Sequence, residues 1–180
     1  MANHFFVSDT HFGHVNILKF EDSNGKKFRG ELFTDVDHMN ETMIDNWNRL
    51  VMPSDHIYHL GDVYFGSVDK ADLIMSRLNG KKRLIVGNHD DISKRKDFYH
   101  KHFEKIMLWN FWEKRIDGLK ILFSHVPVHE SSFGKAEINV HGHIHQQKNI
   151  SDIHINLSVE KTNYTPVPFE EVLKYRGVGK

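Results

Sequence analysis

The chain has 180 residues, with 24 Lys and Arg against 24 Asp and Glu, 15 His, 13 Phe, 3 Trp and no Cys. That length suits one domain spanning residues 1–180, and a hydrophobic fraction of 39% argues against disorder. Zero net charge removes the basic signature of a dedicated nucleic-acid binder, and zero Cys removes disulfides, thiolate nucleophiles and Cys-based metal sites.

The opening residues, Met1 to Asp9, read as a strand and lack the charged-then-apolar pattern of a signal peptide. No apolar run approaches the roughly 20 residues of a membrane span. A cytoplasmic protein with no membrane partner is therefore expected. His4 to Ser8 is the first strand, and a loop marked by Gly25, Gly30, Lys26, Lys27 and Arg29 follows. Val36, Met39, Met43, Trp47 and Leu50 recur at helical spacing and predict a helix from about Asp35 to Val51. Thr34 with Asp37 three residues on resembles a capping box, and Pro53 closes the segment.

The second strand is predicted at His56 to Leu60. Ser67 can then cap a helix whose Ala71, Ile74, Met75 and Leu78 share a face, with Asn79-Gly80 as its stop. A third strand is expected at Arg83 to Val86, and a basic, aromatic helix from about Ser93 to Phe103. Strands in series follow. One is expected within Glu104–Asp117, others at Leu119–Phe123, Glu137–Val140 and Ile153–Val159, before a short helix at Pro168–Tyr175. Alternation followed by consecutive strands predicts an α/β fold with an antiparallel portion and two packed sheets.

The chemistry-bearing residues fall just after these strands. They are Asp9-Thr10-His11, Gly61-Asp62, Gly87-Asn88-His89-Asp90, His125 and Gly142-His143-Ile144-His145. In open α/β sheets ligands bind beyond the carboxyl ends of strands, so five such segments can converge on one site. Asp9, His11, Asp62, Asn88, His125, His143 and His145 offer carboxylate, imidazole and amide oxygen without sulfur, a set that suits Mn, Fe, Zn, Co or Ni. Seven side chains are too many for one open catalytic ion and enough for two, if one carboxylate bridges them. His89 is then left over as a proton donor. Gly61, Gly87 and Gly142 permit the tight turns that aim the neighbouring side chains.

This ordered series, spread over residues 9 to 145, resembles the calcineurin-like metallophosphoesterase superfamily, with no ligand replaced. The resemblance implies a four-layer α/β/β/α sandwich with two central mixed sheets. It further implies that Asp9, His11 and His145 hold one divalent ion, that Asn88, His125 and His143 hold a second, and that Asp62 bridges them. His89 would be the catalytic histidine, oriented or polarised by Asp90. The implied reaction is hydrolysis of a phosphate mono- or diester by attack of a dimetal-bound hydroxide, without a phospho-enzyme.

Three readings compete for the same residues. The first is a phosphohydrolase acting on a phosphoester such as a nucleotide. The second is a nuclease or cyclic-nucleotide phosphodiesterase, which would use the cations and aromatics of Lys94 to Lys101 to hold polynucleotide; a solvated helix face explains that stretch better. The third is a non-catalytic metal-binding scaffold, against which the complete ligand set and His89 count. His14, close behind Asp9-x-His11, and Arg29, with Lys26 and Lys27 in a phosphate-attracting rim, are candidate substrate contacts. Asn156 is expected near the site, and the Met39, Met43 and Trp47 stripe is expected in the core.

Overall fold

The structure, a computed structural model, describes residues 2–22, 24–108 and 112–177. The strands at residues 4–7 and 56–59, buried at all but their first residue, form the centre of the first sheet, as parallel strands covered on both faces do. Its members are β1 (His4–Val7), β2 (His56–His59), β3 (Lys81–Ile85), β4 (Lys105–Met107) and β9 (Val167–Pro168), in the order β4-β3-β2-β1-β9. All neighbours are parallel except β9, which runs antiparallel to β1. The second sheet has the order β5-β6-β7-β8, from β5 (Trp112–Ile116), β6 (Leu119–Phe123), β7 (Ile138–His141) and β8 (His154–Asn156). Here β5 and β6 are antiparallel and the remaining pairs parallel, so both sheets are mixed.

Period-two alternation splits the core in two. Phe5, Val7, Ile57 and Leu84 point to one side of the first sheet and pack on the helices α1 (Val36–Leu50), α2 (Val68–Arg77) and α3 (Lys96–His102). The Met39, Met43 and Trp47 stripe is buried there, as its spacing predicts. Phe6, Tyr58 and Ile85 point the other way and meet Ile121, Phe123, Ile138, Val140 and Ile155 of the second sheet. The Phe6 and Phe123 rings stack at 4.5 Å in this inter-sheet layer.

The outer face of the second sheet is polar. Asn139 Nδ2 donates to Leu122 O and Ser124 Oγ, its Oδ1 accepts from Val128 N–H, and His154 Nε2 lies 2.9 Å from Val128 O. The segment on that side includes the short 3-10 helix Glu130–Ser132 and the buried Phe133, whose ring lies 5.5 Å from that of His154. Among the described residues no helix is long and apolar enough to cross a membrane.

Several predicted elements shift. The cap of α1 is Asp35, whose Oδ1 accepts from His38 N–H at 2.8 Å, one residue past the expected Thr34 box. Ser67 precedes α2 without a side-chain cap. The strand expected within Glu104–Asp117 is two strands, β4 and β5, in different sheets; residues 109–111 between them lie outside the described residues. Strand β9 and the 3-10 helix Val15–Lys19 went unpredicted, and the closing helix is a 3-10 helix, Phe169–Tyr175.

Candidate metal centre

The backbone stitches the strand ends together before any side chain acts. Asp9 N–H donates to Gly61 O at 3.0 Å and His11 N–H to Asp62 O at 3.1 Å, which joins the loops after β1 and β2. Gly142 N–H donates to His125 O at 2.9 Å, and Val159 N–H to Ser8 O at 3.1 Å. The last bond, with the bridge between Ser8 and Ser158, ties the end of β8 to the end of β1 and so links the two sheets at the site.

Asp9, His11, Asp62, His143 and His145 all have positive φ, from 46° to 69°. Non-glycine residues avoid this left-handed region, at a cost of about 1–2 kcal/mol each. Such strain persists where surrounding structure over-determines it, and it gathers at functional sites. Close approach explains the glycines. A Cβ on Gly142 would collide with Ser8 Oγ and Asp9 Oδ2, and one on Gly87 with the Asp62 backbone and carboxylate. Gly61 alone of these three adds a positive φ, at 103°, so the predicted turn function belongs to it.

Two clusters result. Asp9, His11 and His145 each present one ligand atom within 4.8 Å of the others, and so do Asp62, His125 and His143. Asn88 joins the second cluster, its Oδ1 lying 2.9 Å from His125 Nε2. Asp62 Oδ2 faces both clusters, at 3.6 Å from His11 Nε2 and 3.5 Å from His125 Nε2. Its other oxygen accepts from His89 N–H at 2.9 Å.

The partners of these groups leave the right atoms over for cations. Asp9 Oδ2 accepts from His143 N–H and Ser158 Oγ–H, whereas buried Asp9 Oδ1 and His11 Nε2 have no hydrogen-bond partner among the described residues. His125 Nδ1 is committed to Leu60 O at 2.8 Å and His145 Nδ1 to Glu160 Oε1 at 2.9 Å, which turns each Nε2 inward. Fixing one imidazole nitrogen so that the other can ligate is the usual outer support of a metal histidine. Three buried carboxyl groups, those of Asp9, Asp62 and Glu160, lie at the site, and the buried Arg29 guanidinium pairs with Glu160 alone. The residues therefore fit two divalent ions.

Burial and these charges set the protonation of the groups. Burial raises the Asp9 carboxyl above its ordinary value. Burial also opposes charge on Glu160, but Arg29 and His145 beside it bring its carboxyl down to about 2. His125 rises to about 9 despite burial, because Asp62 and Asp9 favour its charged form. His11 falls well below the ordinary value through burial and the nearby Arg29 charge.

His59 is a separate case. Thr10 Oγ1 donates to Val63 O and accepts from His59 Nε2–H at 2.9 Å, while His59 Nδ1 accepts from Gly61 N–H. Burial depresses it to about 3, so it folds neutral. A depressed imidazole contributes stability above pH 6.5 and loses it as pH falls from 6.5 towards 3. Metal-free wild-type protein is thus expected to lose on the order of 1 kcal/mol per pH unit more than His59→Gln as pH falls below about 6.5. Denaturant titrations at about pH 7 and about pH 5 check this; equal slopes would mean that His59 takes up its proton while folded.

Two expected roles change. Arg29 is fully buried, not part of a rim: it donates to Glu160, to the carbonyls of Asp9 and Thr10, and to Met39 Sδ. Its neighbour Lys26 remains exposed beside Glu31. Asp90 does not orient the His89 ring. Its carboxylate accepts from the backbone of Asp62, Val63 and Gly87 and from Tyr99 O–H, four donors that saturate it and brace the two metal loops. Phe98 and Tyr99 of α3 are buried and Lys94 and Lys101 pair with Asp91 and Asp72, so that helix offers no basic aromatic platform.

The mouth of the site holds His14, Phe65 and His89. The exposed His89 ring lies 5.8 Å from His11 and 5.2 Å from Phe65, and Phe65 lies 4.2 Å from His14. His14 Nδ1 accepts from Ile17 N–H, which leaves Nε2 to the site. Asn156 Nδ2 donates to His145 O and its Oδ1 accepts from Ser158 N–H, and thereby supports the Asp9 partner. Sequence reasoning missed Phe65, Ser158 and Glu160. Glu160 had one signal, an acid just beyond the strand predicted at Ile153–Val159.

A family model of the calcineurin-like phosphoesterases matches residues 5–174. An uncharacterized protein of Methanocaldococcus jannaschii is 31% identical over 189 residues, covering 100% of this chain and 94% of that protein. The gene 66 protein of Mycobacterium phage L5 is 31% identical over 93 residues, 50% of this chain and 41% of the phage protein. Among solved structures, a protein of unknown function from Aquifex aeolicus aligns at 26% identity with a TM-score of 0.70, covering 97% of this chain and 99% of that one. The match spans both sheets and both clusters, so the chain belongs to the calcineurin-like phosphoesterase family and is a dimetal hydrolase.

Proposed function

We propose that the protein hydrolyses a phosphate mono- or diester, with Asp9, His11 and His145 holding one ion, Asn88, His125 and His143 the other, and Asp62 both. The observation that carries this reading is the placement of Asp62 Oδ2 between His11 and His125. Two divalent ions held there would lower the pKa of a water and neutralise charge on the phosphoryl oxygens.

The chain's own groups supply the rest. His89, tied through its backbone to Asp62, carries an exposed ring at the mouth and donates a proton to the leaving oxygen. His14 Nε2 faces a non-bridging oxygen. The buried aromatics of α3 speak against the nuclease reading.

The test strips the protein of metal and reloads it with Mn, Ni, Co, Zn or Mg, then measures bound metal and hydrolysis of p-nitrophenyl phosphate and bis-p-nitrophenyl phosphate. About two ions per chain and metal-restored turnover are expected. The ratio of the two esters then separates monoesterase from diesterase. Two ions without turnover on either ester would favour the scaffold, and no stoichiometric metal would overturn the reading.

Phe65 is 39% exposed, and its ring centroid lies 4.2 Å from that of His14, 5.2 Å from His89 and 6.2 Å from the buried His11, so it forms a wall against the leaving group. Phe65→Ala is expected to raise KM for aryl phosphates about 2–10-fold, the equivalent of ~0.5–1.5 kcal/mol of ring contact, with kcat little changed. Alkyl phosphates are the control. A KM increase of the same size for both would show that the ring does not read aromatic character.

A further inference from the structure

Arg29 and Glu160 stand 131 residues apart in sequence and meet as a buried ion pair. Arg29 Nε–H donates to Glu160 Oε1 at 2.8 Å, and Nη2 lies 2.7 Å from the same oxygen. That oxygen also accepts from His145 Nδ1–H at 2.9 Å. The remaining guanidinium hydrogens go to Asp9 O at 2.6 Å, Thr10 O at 2.9 Å and Met39 Sδ at 3.6 Å.

Burying two charges costs several kcal/mol per ion, and apolar residues of similar volume often stabilise as well or better. Stability is thus a poor reason for this pair. Apart from the Arg29 contact with Met39 Sδ on α1, its hydrogen bonds reach Asp9, Thr10 and His145, the residues of one cluster and the link between Asp9 and His11. Among the described residues none of its hydrogen bonds reaches Asn88, His125 or His143. Asp9 and His11 flank Thr10 with φ of 58° and 46°, a strained turn whose carbonyls Arg29 holds from behind.

We infer that the Arg29–Glu160 pair is a positioning device for one ion alone, the one assigned to Asp9, His11 and His145. Glu160 keeps the His145 proton on Nδ1, so that Nε2 faces the ion. Arg29 holds the Asp9–His11 turn so that Asp9 Oδ1 and His11 Nε2 point the same way. The inference rests on the dimetal reading.

The test is calorimetric titration of Mn or Co into metal-free wild type, Glu160→Gln, and the double variant Arg29→Met with Glu160→Gln. The double variant removes both charges together, and it takes the place of Glu160→Gln if the unpaired guanidinium prevents folding. Wild type is expected to bind two ions. The variants should weaken one ion about 10–100-fold, the range for lost outer partners of metal histidines, and leave the other at wild-type affinity. His145→Ala should weaken the same ion, and adding Glu160→Gln to it should cost little more. Folded variants with both ions unchanged, or both weakened equally, would overturn the inference and make the pair structural. Failure of wild type to bind two ions would instead overturn the dimetal reading.

Discussion

Asp62→Asn is expected to release both ions together and reduce turnover to background. Asp62 Oδ2 is the oxygen that both clusters see, at 3.6 Å from His11 and 3.5 Å from His125. Asparagine keeps one oxygen for the His89 N–H but removes the negative charge, and its amide hydrogens would face the cations. The fold should survive, because the substitution is nearly isosteric and asparagine tolerates the left-handed φ of 58° found at this position. The expected loss of affinity exceeds the roughly 10–100-fold seen when only an outer partner is removed. Metal analysis beside turnover decides the matter. Loss of one ion alone would mean that Asp62 serves one cluster.

His89→Ala should have the opposite signature: two ions retained and kcat lowered about 10²–10⁴-fold, the usual range for a lost general acid. The side chain is exposed, and only its backbone N–H touches the metal carboxylate, so truncating the ring leaves Asp62 held. An acid matters most for a poor leaving group. The variant should therefore lose more activity on an alkyl phosphate than on p-nitrophenyl phosphate, whose leaving oxygen needs no proton. Metal content that falls with activity would assign His89 a holding role. An equal loss on both esters would remove its role as proton donor.

These assignments were legible in the residues because each metal block follows directly on a short apolar run. Such a run becomes a buried strand, and a strand has only one carboxyl end at which the next polar residue can emerge. Asp9, Asp62, Asn88 and His125 each sit at that end, and the observed strands end within a few residues of them. The helical stripe of Met39, Met43 and Trp47 was readable for the same reason, since local periodicity reports burial directly.

What escaped notice depends on distant partners. Strand β9 is two residues long and contains Pro168, a residue confined to sheet edges, and it is recognisable only by its pairing with β1. The division of Glu104–Asp117 between two sheets reflects which neighbours each half finds, β3 for one and β6 for the other. Arg29 stands beside Lys26 and Lys27 like any surface cation, yet its fate is set by Glu160, far along the chain. Asp90 adjoins His89, and adjacency suggested a dyad, but the turn aims its carboxylate at Asp62, Val63, Gly87 and Tyr99.

The sequence by itself determined the chemistry: the kinds of ligand atoms, their order, and the strand ends that carry them, all of which are local properties of short segments. Tertiary structure alone decided which ligand atoms come within 4.8 Å of one another, which oxygen of Asp62 faces both clusters, and that Arg29 lies under the site and not over it. Those outcomes follow from the Ser8–Ser158 bridge that joins the two sheets and from buried charges that can persist only beside a partner.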